Sequence, residues 1–354
     1  MGRVFLLFNF IYDMKKLISI IFFLMIFDVA FACTVVSFTS KDHYFGRNLD
    51  LERSYGEMVV IAPREYVFKF RHQKELSSHY AMIGMAAVVN DYPLFFDATN
   101  EKGLSMAGLN FPKNAYFPEM KKGKDNITPF EFIPWILSQC ASVSQARELL
   151  EKINLLNENF SSQLPLQPLH WMISDRNESI VVESLRDGLK IYDNPVGVMT
   201  NNPTFDIQLF NLNNYRSVSP SSHPVTFADG LELDEYSRGM GGIGLPGDLS
   251  SSSRFVRATF TKLNSVCSGD EASSVSQFFH ILGSVEQQRG CCRLGEEYEI
   301  TIYSSCVNTD KGIYYYRTYD NSRITAVDMH KENLQSSQLL TFPLKAQQDI
   351  LMQN

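Results

Sequence analysis

Residues 33–52 read "CTVVSFTSKDHYFGRNLDLE". Apolar and β-branched residues dominate positions 33–39, and Ser40-Lys41-Asp42 forms a polar break before a second run at 43–51. The pattern predicts two β-strands joined by a short turn. What lies ahead of the first strand gives its cysteine a meaning. From Met14 the chain reads "MKKLISIIFFLMIFDVAFAC": two lysines, an apolar run from Leu17 to Phe27, then Ala30-Phe31-Ala32 directly before Cys33. These are the basic region, apolar region and small-residue cleavage pattern of a secretory signal. A membrane anchor is the competing reading, but a span takes about 20 apolar residues, and Asp28 interrupts this one early. Residues 1–32 are therefore expected to be a signal peptide that is removed, with Met14 an alternative start. Residues 33–354 are expected to form a single domain, periplasmic or extracellular after processing.

Working outward, the remaining sequence reads as strands, helices, strands, helices, strands. Strand patterns occupy "MVVIAPREYVFKF", "YAMIGMAAVV" and "GLSMAGLNF". A helix is expected at Thr128-Pro129-Phe130-Glu131, a capping box with proline in the first helical position. A second is expected at Ser142, with Gln145 three residues on. "LHWMISD", "SIVVESL" and "LKIYDN" read as a three-stranded meander, and further helices are expected across "SSRFVRATFTKLNSV" and "SVSQFFHILGSV". The chain closes with strands at "YEITIYSSC" and "GIYYYRTY". Two antiparallel sheets between helical layers satisfy this order, because each sheet then buries one face on the other sheet and one on helices. The regular alternation of a doubly wound parallel sheet is absent.

Composition narrows the chemistry. The 354 residues are 44% apolar and 20% charged with a net charge of −7, so no basic footprint for nucleic acid exists. The six cysteines, Cys33, Cys140, Cys267, Cys291, Cys292 and Cys306, contain no C-x-x-C and no framework spacing. "GMGGIG" at 239–244 formally matches a dinucleotide loop, but Leu245-Pro246-Gly247 follow where a helix should begin. His170 and His280 sit among apolar residues and read as satisfied core histidines. Asn126, Asn159 and Asn177 head glycosylation sequons that matter only in a host that glycosylates.

Cleavage before Cys33 would put a thiol and a free α-amine on one residue. An α-amine titrates near 7.7–8.0 and a thiol near 8.5, so base and nucleophile come together without a histidine. Such a nucleophile also needs a cation to favour the thiolate, a carboxylate to orient the amine, and donors for an oxyanion. Arg47 and Asp50, on the neighbouring strand, are candidates for the first two. Seen alone they would be a surface ion pair.

At these residues the chain resembles the choloylglycine hydrolase family, the bile salt hydrolases and penicillin V acylases of the N-terminal nucleophile superfamily. The likeness continues through "NDYPLFFDATNEKGLSMAGLNFP", "LHWMISD", "VGVMTNNPTF", "GLPGDLSSSSRFVR" and "KGIYYYRTYDN", from Cys33 to about Phe342. It implies an α+β fold, a four-layer α-β-β-α sandwich, and a catalytic domain over 33–354. It implies a nucleophile at Cys33, a thiolate-steadying Arg47, and an Asp50 that holds the α-amine. Asn201 and the backbone N–H of Asn110 would bind the oxyanion, with Arg254 completing the polar network. The implied reaction is hydrolysis of a linear amide through a thioester, with no metal or organic cofactor and with a small-molecule amide as partner. No membrane span would remain after processing, and a homotetramer is a common state of such enzymes.

Asparagine at position 110 is the family's bile-salt pattern, where penicillin V acylases tend to carry tyrosine. Conjugated bile salts are thus the expected substrates, with penicillin V, N-acyl homoserine lactones or other N-acyl amides as the alternative. Residues near Leu49 and the helix at 133–137 are candidate pocket walls. The departure from many family members is the export signal, since those lose only an initiator methionine. A rival from another class is an inactive, lipid-anchored binder of amphiphiles, acylated at Cys33. Its signal usually has a branched apolar residue three before the cysteine and a small one two before, where Ala30 and Phe31 stand here.

Overall fold

The structure is a computed structural model, and residues 32–354 are described. The expected signal peptide, apart from Ala32, lies outside the described residues.

The hairpin expected at 33–52 forms. Strands β1 (Cys33–Thr39) and β2 (His43–Leu51) pair antiparallel from Cys33↔Leu49 to Thr39↔His43. Strand β12 (Val198–Met199) flanks β1. On the other side β2 is met by β15 (Ile300–Asn308), then β16 (Ile313–Thr318) and β17 (Asn321–Asp328), completing a six-stranded sheet. Gly46 is what lets β2 and β15 approach: a Cβ there would lie 2.0 Å from the Ser305 carbonyl oxygen.

The second sheet has eight strands. In spatial order they are β11 (Gly188–Asp193), β10 (Ser179–Leu185), β9 (Leu169–Ser174), β6 (Ser105–Asn110), β5 (Tyr92–Asn100), β4 (Met82–Val89), β3 (Met58–Ala62) and β18 (Leu340–Pro343). The expected meander is β9-β10-β11. Two short pairs stand apart: β7 (Asp125–Ile127) with β8 (Ile153–Leu155), and β13 (Arg293–Leu294) with β14 (Glu297–Tyr298).

Period-two alternation divides the eight-stranded sheet into two buried faces. Ala107, Leu109, Met172 and Val181 join the core shared with the six-stranded sheet. Met106, Trp171, Ile173 and Val182 point the other way, into a second core with α1 (Phe132–Gln139) and α2 (Val143–Leu150). Helix α3 (Phe205–Asn211) follows β12. Helices α4 (Ser251–Leu263) and α5 (Glu271–Gly283) cover the six-stranded sheet, burying Phe255, Ala258, Phe278, Ile281 and Leu282. The result is the expected α-β-β-α sandwich. Among the described residues no helix is long and apolar enough to cross a membrane.

Local signals set several boundaries. The Glu131 carboxylate accepts from the Thr128 N–H at 3.2 Å and its hydroxyl at 2.6 Å, so the capping box forms, although the first turn is 3-10. Ser142 caps α2 by accepting from the Gln145 N–H at 3.3 Å. The expected strand over "MVVIAPREYVFKF" stops at Ala62 because Pro63 has no N–H to continue the ladder. Helix α5 starts earlier than its apolar pattern, since Asp270 accepts from the Ser273 N–H at 3.0 Å and serves as its cap. His280 is a correction: it is exposed in the last turn of α5, whereas His170 is 1% exposed and bonded to Glu183 and the Thr200 carbonyl, as a core histidine should be.

Candidate active site

Pairing of β1 with β2 brings the first three candidates together. Cys33 stands opposite Leu49, so the arginine two residues before and the aspartate one after both border it. The Arg47 guanidinium donates to the carbonyls of Phe96 at 2.9 Å and Gly108 at 2.7 Å, both on the facing sheet. It also hydrogen-bonds the Cys33 side chain. Those two carbonyls hold the cation beside the sulfur.

Helix α4 and the turn after β12 supply the next two. Arg254 donates to the Cys33 carbonyl at 2.5 Å, to the Thr34 hydroxyl at 2.7 Å and to Asn201 Oδ1 at 2.8 Å. Asn201 Oδ1 also accepts from the Cys33 N–H at 2.8 Å. Its Nδ2 donates to the Asn110 carbonyl at 2.7 Å. An amide nitrogen has two hydrogens, so one stays available for an oxyanion. All six expected residues are thus gathered at one end of the interface between the sheets. Each is at most 5% exposed.

Burial dominates the electrostatics. It pushes the Cys33 thiol above its ordinary pKa, and Asp50 adds to this, while Arg47, Arg254 and the Asp50 backbone N–H partly offset it. Asp50 is pushed up to about 6, again by burial, against the pull of Arg254, the Thr301 hydroxyl and Arg47. Its Oδ1 accepts from Thr301 at 2.6 Å, and its Oδ2 has no hydrogen-bond partner among the described residues. In this chain, with Ala32 still attached, the site holds a protonated thiol and a carboxylate oxygen with nothing to bind.

A cavity of about 260 Å³ opens onto Cys33, Arg47 and Asn110. Its walls are largely apolar and include Leu49 and Ile133, as expected, together with Phe95, Phe96, Phe130 and Phe160. Leu137, named with the same helix, is fully buried in the core behind the wall. The contributions of β5 and of the segment 160–169 were not anticipated. Their apolar residues carry no signal that separates pocket wall from core.

Three polar residues of "YEITIYSSC" have partners that its strand pattern does not announce. The Glu299 carboxylate accepts from the Ala32 N–H at 3.1 Å, Thr301 holds Asp50, and the Tyr303 hydroxyl donates to Asp97 at 2.7 Å. Tyr314 donates to the other oxygen of Asp97 at 2.7 Å, and the Asp97 charge acts on Arg47. A signal was present: Glu299, Thr301 and Tyr303 are polar at every second position of an otherwise strand-like run.

The family described as linear amide C–N hydrolases, choloylglycine hydrolase family, matches residues 33–342. The chain is 58% identical over 316 residues to a bile salt hydrolase/transferase of Lactiplantibacillus plantarum, covering 89% of this chain and 98% of that one. A solved variant of the conjugated bile acid hydrolase from Clostridium perfringens superposes with a TM-score of 0.85 at 38% identity, over 91% of this chain and all of the other. A penicillin V acylase structure from Agrobacterium tumefaciens shares the fold, with a TM-score of 0.71 at 19% identity over 88% of this chain and 91% of that one. With the N-terminal nucleophile fold and a match over nearly the whole described chain, this protein belongs to the choloylglycine hydrolase family, the hydrolases of linear amide C–N bonds.

Proposed function

We propose that the protein hydrolyses conjugated bile salts, after removal of residues 1–32 makes Cys33 the first residue of an exported enzyme. The observation that carries this reading is the apolar cavity ending on the Cys33 thiol beside Arg47 and Asn110. It suits a rigid apolar acyl group whose amide carbonyl meets the sulfur. The relatives' bile-salt names and the asparagine at position 110 support the same choice.

The steps follow from the groups present. The freed α-amine takes the thiol proton, and the Arg47 charge favours the resulting thiolate. The thiolate attacks the amide carbonyl, and the oxyanion accepts from Asn201 Nδ2 and the Asn110 backbone N–H. The α-ammonium gives its proton to the departing amine, taurine or glycine, as the C–N bond breaks and a thioester remains. Water then adds to the thioester with the α-amine as base, and the bile acid leaves with the thiol restored. While Ala32 is attached there is no amine to start this sequence, so removal of the leader is also activation.

The test is amine release by purified mature protein from taurine- and glycine-conjugated bile salts, penicillin V and an N-acyl homoserine lactone. Turnover of the bile-salt conjugates at the highest kcat/KM is expected. Faster turnover of penicillin V or of the lactone would overturn the substrate assignment. Intact mass of the mature N-terminus tests the lipid-anchored alternative, which requires an acylated Cys33 in place of a bare one.

A further inference from the structure

The proposed mechanism leaves Glu299 unused, and its surroundings are unusual. It is 3% exposed, one oxygen holds the Ala32 N–H at 3.1 Å, and the other has no hydrogen-bond partner among the described residues. A residue that the reaction discards is thus bound by a buried carboxylate. We propose that Glu299 is a positioning residue of the mature site: when the Ala32–Cys33 bond is cut, its carboxylate turns from residue 32 to the new α-ammonium of Cys33 and holds it together with Asp50. This rests on the reading that Cys33 becomes residue one.

Donor counting supports the exchange. The Cys33 amide has one N–H, already given to Asn201 Oδ1 at 2.8 Å. An α-ammonium has three, so two more acceptors are needed in a site where Cys33 is 2% exposed. Asp50 Oδ2 and Glu299 Oε1 are both buried and both without a partner among the described residues. Cleavage also frees Glu299 Oε2. Consecutive backbone nitrogens lie about 3 to 3.6 Å apart, so the carboxylate reaches the amine through the space that residue 32 vacates.

Charge points the same way. In the uncleaved chain burial and the Asp50 charge push Glu299 up to about 8, against the pull of the Ala32 N–H and of Arg254. Burial likewise raises Asp50 to about 6. These are two carboxyl groups short of a cation, and cleavage creates one beside them. The groups facing the amine are Arg47 and Asp50 from β2, Arg254 from α4 and Glu299 ahead of β15, with Glu52, Glu286 and Cys292 behind them. Drawn to its charged form by the new α-ammonium, Glu299 holds the proton on the amine and on the thiol more tightly. Removing its charge must lower both pKa values.

The experiment compares mature wild type, Glu299→Gln and Glu299→Asp. N-terminal sequencing is followed by kcat/KM for taurocholate across pH. Both limbs of the Glu299→Gln profile are expected to move to lower pH by about one unit, and Glu299→Asp, which keeps the charge, is expected to leave them in place. A role in folding alone would lower kcat without moving the limbs. If Glu299→Gln does not fold, Glu299→Leu removes the same charge and is expected to shift the limbs in the same direction. Superimposable profiles, in a wild type that begins at Cys33, overturn this inference and leave the parent reading standing. An active wild type that begins elsewhere, or whose α-amine is acylated, overturns the parent reading and the inference with it.

Discussion

At the scale of single residues, the surroundings of Cys33 oppose formation of its thiolate while Ala32 precedes it. Burial raises its pKa, and the two arginines offset this only in part. Cys33→Ser keeps shape and cleavage geometry but replaces the sulfur with a poorer nucleophile. Turnover of bile-salt conjugates is expected to fall by at least about 10³-fold, with an unchanged melting profile. Retained activity would remove Cys33 from the mechanism. Of the residues around it, Arg47 and Asp50 were legible because they follow within one hairpin and antiparallel pairing returns them to the cysteine. Asn201 and Arg254 were legible only through family resemblance, since nothing local distinguishes an asparagine before proline from a turn residue. Thr301 was not legible at all. It meets Asp50 from 251 positions away.

At the scale of elements, β15 does more than fill the centre of its sheet. With Glu299 just ahead of it, Thr301 serves the Cys33 end, and Tyr303 serves Asp97 behind Arg47. Tyr303→Phe deletes one hydroxyl and leaves one oxygen of a buried carboxylate without its donor. The expected cost is about 1 to 3 kcal/mol of stability, read from the denaturant midpoint, with a fall in kcat as Arg47 loses its fixed counter-charge. An unchanged midpoint would mean that the Tyr303–Asp97 bond is idle. The strand itself was legible from its period-two apolar residues, and its polar ones were legible as anomalies without an address. Caps behaved similarly: the Ser142 and Thr128 signals stood next to apolar patterns and were readable, whereas Asp270 sits four residues before the pattern it caps.

At the scale of the whole molecule, the four-layer order was legible because strands and helices come in blocks. Beyond the first hairpin and the meander, which strand neighbours which was not, since β15 joins β2 across about 250 residues and β9 joins β6 across about 60. Such pairings are settled by packing of whole faces, which local pattern does not encode. The assembled core also sets an acid limit. His43, 3% exposed, has its pKa lowered by burial from 6.5 to about 4. The unfolded chain therefore binds a proton that the folded one refuses across that interval. Stability from this group is present above pH 6.5 and is lost as pH falls towards 4, by up to about 3 kcal/mol. Thermal melts should show the decline, and a His43→Gln protein should show a shallower one; equal slopes would assign the acid sensitivity elsewhere. The proposal as a whole stands on Cys33, as the N-terminal residue, supplying both nucleophile and base. It is tested most directly by the N-terminal mass of protein purified by its activity on taurocholate. A chain beginning at Cys33 with an unmodified amine is expected. Active protein that begins at any other residue, or carries a capped amine, would contradict it.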